Sequence, residues 1–177
     1  MNEQFYLYII SLYKDVPEWV YEGQVSVFCF GVVLTLALCG FKKGLRYSAG
    51  LLFLEYVFLA FCSTVIFRTA NEGQGYNFHL FWSYAAIQEG NENLLPENIM
   101  NVVAFVPIGL LSGWAFKLKW WQVLILGFVI SLSIETLQYV SKRGFAEFDD
   151  VMHNTLGSLI GYGIYAVVSN VRSLQRG

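Results

Sequence analysis

Charge is scarce in this chain. Asp, Glu, Lys and Arg make up 14% of its 177 residues, where a soluble domain carries about 25%. That shortage argues against a freely solvated globular protein. Histidine is rarer still. His79 and His153 are the only two, and neither has a ligand partner at metal spacing, so no zinc site is predicted. Cys29, Cys39 and Cys62 are the only cysteines. All three fall in apolar stretches, at spacings that fit neither a disulfide framework nor a metal site. No internal repeat or low-complexity tract is evident, which leaves a transporter built from inverted repeats without support. No cofactor and no nucleic-acid partner are expected, and nothing here fixes an oligomeric state.

What the chain has is length in its apolar runs. Hydrophobic residues make up 56% of the sequence. They gather in five stretches, 17–40, 47–68, 98–117, 120–140 and 151–170. Each is close to the ~20 residues that an α-helix needs to cross a bilayer core. Lipid offers the backbone no hydrogen-bond partner, so spans of this length read as helices. The expected fold class is all-α: one transmembrane bundle of five spans over residues 1–177, with no separate soluble domain.

Basic residues orient it. Lys42, Lys43 and Arg46, then Lys117 and Lys119, then Arg172 and Arg176 occupy alternating connections. Together they hold seven of the eleven bases and none of the thirteen acids. By the positive-inside rule these segments are cytoplasmic, with the N-terminus outside and the C-terminus inside. A cleaved signal peptide fits poorly, because Lys14 is the only base before the first apolar run.

Two further segments are predicted at the outer surface. Residues 1–16 read as an interfacial helix, with Glu3, Gln4, Ser11 and Lys14 on one face. Asp15 is placed to cap the next helix, and Pro17 suits its first turn. Residues 77–87 are too short to span and too apolar to be fully solvated, so they read as an interfacial or re-entrant segment over the outer mouth of the bundle.

Polar residues in the outer halves of three spans share helical faces. Asn98, Asn101, Phe105, Gly109 and Ser112 form one; Ser131, Glu135 and Gln138 another; Asp150, Asn154, Gly157 and Gly161 a third. With Arg68 at the end of the second span, and Arg143 and Asp149 in the last connection, they predict an outward-facing polar pocket. Asn, Gln and Ser also serve as hydrogen-bonding glue between membrane helices, and small residues such as Gly157 and Gly161 as close packing. A charge in a span is costlier, so Glu135 is expected to pair with Arg68 or Arg143. Glu55 stands deeper, with no base at its level, and reads as a neutral, hydrogen-bonded carboxylic acid.

These residues resemble the VanZ-like family. The resemblance is carried by Asn101-Val-Val-Ala-Phe105-Val-Pro107-Ile-Gly109, by Glu135-x-x-Gln138, and by Arg143, Asp149-Asp150, Asn154, Gly157 and Gly161. Arg68 also matches. Leu80 departs from it, standing where relatives usually have a proline. The resemblance implies a bacterial cell-membrane protein associated with resistance to glycopeptide antibiotics, chiefly teicoplanin and its lipidated kin, and it implies no particular reaction.

Three functions compete. A binder would hold a membrane lipid, a lipid-linked wall precursor or a lipoglycopeptide among Arg68, Asn98, Asn101, Glu135, Gln138, Arg143, Asp149, Asp150 and Asn154. An enzyme acting on an envelope substrate would use Glu135 as its candidate catalytic acid or base, with Asp149 and Asp150 available to Mg²⁺ or Ca²⁺; no nucleophile with an adjacent base supports it. A small transporter is the third. For the binder, Asp149→Asn is expected to be mild and Asp150→Asn more damaging.

Overall fold

The computed structural model describes residues 14–70 and 75–174. Apart from its last three positions, the surface helix expected over 1–16 lies outside the described residues. The chain is helical: α1 (Glu18–Phe61), a π-helical turn (Cys62–Ile66), α2 (Trp82–Gln88), α3 (Leu94–Phe116), α4 (Trp120–Ser141) and α5 (Phe148–Leu174). Two short strands, β1 (Tyr76–Asn77) and β2 (Ala146–Glu147), pair in parallel, with Tyr76 opposite Ala146 and Asn77 opposite Glu147.

Among the described residues, three helical segments are long and apolar enough to cross a membrane: Glu18–Ile66, Leu94–Phe116 and Trp120–Ser141. The first is a hairpin. Gly40 breaks it with φ 71° and ψ 168°, a conformation in which a side chain would clash with the backbone. The two limbs then run back along each other. Thr35 Oγ1 lies 2.9 Å from Ser48 Oγ, and Gln24 Nε2 donates to the Glu55 carbonyl at 2.9 Å. Gly44 packs directly against the Leu36 backbone. The α5 helix has 27 residues but is not among the three; His153, Asn154 and Thr155 dilute its apolar character near the N-terminal end.

The core lies between the second limb of α1, α3 and α4. It contains Phe53, Val65, Phe105, Ile108, Leu111, Ile130 and Ile134. Helices α3 and α5 approach still more closely, because glycines stand where they meet. A Cβ at Gly109 would strike the Ser158 carbonyl; one at Gly157 or Gly161 would strike the carbonyl of Val102 or Val106. Small residues permit such backbone approach, which membrane helices use in place of hydrophobic drive. The outer surface is strongly apolar, with Phe30, Leu38 and Val140 70%, 75% and 71% exposed. A patch of this extent is unusual on a soluble monomer and normal on a lipid-facing wall.

Helix starts and ends differ in places from expectation. Pro17 is the N-cap of α1, and no side chain caps it; Asp15 lines a cavity instead. The 77–87 stretch is not one element. It begins in β1, turns through Phe81 at φ 65°, and becomes helical only at Trp82.

Candidate functional site

At the end of the bundle away from Gly40, a cavity of about 360 Å³ opens between α1, α3, α4 and α5. Helical spacing explains its lining. Glu97, Asn101 and Phe105 recur every fourth residue on α3, Glu135 and Gln138 lie one turn apart on α4, and Asp150 and Asn154 one turn apart on α5. All seven line the cavity, as do Arg68 beyond the π-helical turn and Glu147 on β2.

Glu135 is 6% exposed. Its Oε2 accepts the Glu147 backbone N–H at 2.9 Å, which ties α4 to the loop that carries β2. No direct ion pair joins it to Arg68 or Arg143 among the described residues. Arg68 shares the cavity, and its charge acts on Glu97 and Glu135. Arg143 is occupied elsewhere: its Nη1 donates to the carbonyls of Ile66 at 2.5 Å and Val65 at 3.4 Å. Those carbonyls end the π-helical turn and have no helical partner of their own.

The amides turn their nitrogens toward the protein. Asn101 Nδ2 donates to Asp150 Oδ1 at 2.6 Å, Asn154 Nδ2 to Ser131 Oγ at 2.8 Å, and Gln138 Nε2 to the Thr64 carbonyl at 3.2 Å. Gln138 is 5% exposed, and its Oε1 has no partner among the described residues. Gly144 leaves the space its side chain needs: a Cβ there would sit 2.8 Å from Gln138 Cδ.

Two of the expected pocket residues face a different centre. Asp149 is fully buried. Its Oδ1 accepts from Phe81 N at 2.6 Å, and its Oδ2 from Ser83 N and Ser83 Oγ at 3.0 and 2.6 Å. Asn98 Nδ2 donates to the same Ser83 Oγ at 3.1 Å. These bonds fasten the start of α2 onto α3 and α5, and neither residue lines the cavity. Asp149 and Asp150 therefore do not share a site. Among the described residues, no three His, Cys, Asp or Glu side chains converge as metal ligands. His153 is also removed from the cavity, with Nε2 2.8 Å from the Tyr84 hydroxyl.

Glu97 and Glu147 are among the lining residues that sequence reasoning missed, as are Lys14 and Asp15. Glu97 could have been found, since it precedes Asn101 by one turn on the same face. Glu147 sits in a loop with no periodicity to reveal it. Its Oε2 accepts from Trp82 Nε1 at 3.0 Å. Burial, followed by the nearby charge of Glu97, pushes its carboxyl up to about 7, against the pull of the Trp82 bond. Glu55 lies outside this cavity, on a smaller lateral groove, and its Oε1 is buried without a partner among the described residues.

No solved structure matches the chain. Protein VanZ of Enterococcus faecium is 32% identical over 84 residues, which cover 45% of this chain and 52% of that protein. The chain thus matches about half the length of this relative. The VanZ/LLP1 family model matches residues 47–169, a range that holds every lining residue except Lys14 and Asp15. The chain belongs to the VanZ/LLP1 family.

Proposed function

We propose that this protein binds the polar part of an envelope amphiphile in the cavity around Glu135, and that this binding protects the cell against glycopeptide antibiotics of the lipidated kind. The amphiphile is a membrane lipid, a lipid-linked wall precursor or the antibiotic itself. In this reading the chain crosses the bacterial membrane five times: once with each limb of α1, then with α3, α4 and α5. The N-terminus lies outside, and the cavity opens outward, where such antibiotics and their wall targets meet. Arg68, Asn101, Glu135, Gln138, Asp150 and Asn154 act as the ligand contacts. Asn98, Arg143 and Asp149 hold the surrounding frame.

The observation that carries this reading is the cavity: polar residues from four separate elements converge on one space within an otherwise apolar bundle. Helix glue alone would bring such groups into mutual contact and leave no space between them. The family relationship supports the antibiotic connection.

Filling the space tests it. Ala60 lines the cavity, and Ala60→Phe places a ring there without removing a polar group. In a susceptible bacterium, the wild-type chain is expected to raise the inhibitory concentration of teicoplanin, and an equally abundant Ala60→Phe variant is expected not to. Full protection by that variant would rule out the cavity as the working site.

A further inference from the structure

Resting on that reading of the cavity, we propose that its ligand is a membrane lipid whose headgroup carries a primary ammonium. Among the lining amides, the atoms left for a ligand are acceptors. Three amides line it, and each sends its nitrogen to a protein acceptor: Asn101 to Asp150, Asn154 to Ser131, and Gln138 to Thr64. Gln138 Oε1 remains, buried and unpartnered. A buried acceptor without a protein donor is satisfied by water or by a ligand's N–H or O–H, so a headgroup that brings donors fits this site better than one that brings acceptors alone.

The charged lining has the same bias. Asp15, Glu97, Glu135, Glu147 and Asp150 face Arg68 and Lys14. Five carboxyls against two cations disfavour a ligand that brings negative charge alone. A primary ammonium answers both features. It has three N–H donors, enough for Gln138 Oε1 and two carboxylates at once. Arg68 then remains for a phosphate on the same headgroup, where its planar fork is well suited.

A route for the tail adjoins the cavity. A lateral groove of about 190 Å³ is lined by Val25, Phe28 and Leu52 beside Gln24 and Glu55, with Tyr56 and Leu59 shared between groove and cavity. Tyr56 is held there by its hydroxyl, which donates to the Ala104 carbonyl at 2.7 Å. A headgroup in the cavity can therefore leave its hydrocarbon past these two side chains, along the hairpin of α1.

The test uses the full chain in lipid nanodiscs that contain equal parts phosphatidylethanolamine, its N-trimethylated counterpart phosphatidylcholine, and amine-free phosphatidylglycerol. After gentle transfer to detergent, the lipid retained by the protein is identified by mass spectrometry. Phosphatidylethanolamine is expected to be retained about tenfold over the other two, the ratio that roughly 1.4 kcal/mol represents. Glu97→Gln and Glu135→Gln should each erase most of that preference. Glu97 contributes no hydrogen bond to the fold among the described residues, so its variant is expected to remain folded whatever happens at Glu135.

Equal retention of all three lipids, or preference for phosphatidylglycerol, would overturn the ammonium. If Ala60→Phe still lowered retention in that case, the cavity would survive as a lipid site of other chemistry. Retention that ignored Ala60→Phe would overturn both.

Discussion

The Glu135 carboxyl receives the backbone N–H of Glu147 at 2.9 Å. One side chain thus has two tasks: it anchors the β2 loop to α4, and it presents its remaining acceptor capacity to the cavity. Substitutions can separate them. Glu135→Gln keeps a carbonyl for the Glu147 N–H, whereas Glu135→Ala leaves that donor unmatched in a half-buried place. The Ala variant is expected to lose about 1–3 kcal/mol and the Gln variant less than about 1 kcal/mol, as read by thermal unfolding in detergent. Both should lose protection against the antibiotic. A fully protective, well-expressed Gln variant would leave the carboxyl without a role in protection.

Asp149 and Asp150 are neighbours in sequence with opposite tasks. Asp149 accepts three hydrogen bonds at zero exposure. Asp149→Asn would turn one acceptor into a donor facing N–H groups. It is expected to destabilise the fold by about 2 kcal/mol or more and to release α2, measurable as faster amide exchange at residues 81–84. Asp150→Asn keeps an acceptor for Asn101 and should fold nearly normally while weakening ligand binding. This departs from the sequence-based expectation for Asp149, because two backbone N–H groups and a hydroxyl converge on a residue that sequence presents as an ordinary helix cap.

Glu147 makes the fold pH-sensitive. Its carboxyl titrates near 7 in the folded chain, against an ordinary value of 4.5. The folded state therefore holds this proton more tightly than the unfolded state does, so its contribution is full below pH 4.5 and is lost as pH rises through about 7. Allowing for solvent screening of a partly exposed group, the loss is on the order of 1 kcal/mol. Glu147→Gln should flatten that part of the stability profile. Because Trp82 Nε1 bonds Glu147 Oε2, emission from Trp82 should shift with the same midpoint, and the shift should vanish in Glu147→Gln.

The close approach of α3 and α5 predicts a sharp contrast among glycines. At Gly157 and Gly161 an added methyl would meet backbone oxygen, while at Gly163 nothing lies within 4 Å. Gly157→Ala and Gly161→Ala are expected to cost about 3 kcal/mol or more, at the upper end of overpacking losses. Gly163→Ala should be neutral or slightly stabilising, since it lies within a helix. Folded yield after membrane extraction measures the difference.

Orientation is open to a labelling test, and the fold selects the positions. Gly44 is packed against Leu36 and Gly90 has φ 105°, so neither is a safe site for cysteine. Lys43 and Asn91 are exposed. With Cys29, Cys39 and Cys62 replaced, cysteine at 91 should react with an impermeant reagent on intact cells, and cysteine at 43 should not. The reverse pattern would turn the cavity toward the cytoplasm.

Much of the helical frame was legible in the sequence, because a bilayer imposes length and apolarity on every segment that enters it. The boundaries of α4 could be read almost to the residue, and Gly40 and the Lys117–Lys119 connection punctuated the chain where helices end. Helical periodicity likewise brought Asn101, Glu135, Gln138, Asp150 and Asn154 to one expected region. What only the tertiary structure decided were relationships among residues with no shared period. Arg143 belongs to the Ile66 carbonyl, Asp149 and Asn98 belong to Ser83, and Glu147 enters the cavity through a loop pairing with Tyr76 and Asn77. Periodicity tells which side of a helix a residue occupies. It cannot tell which of two adjacent neighbours will claim that side, and that choice rests on how closely Gly109, Gly157 and Gly161 let α3 and α5 meet.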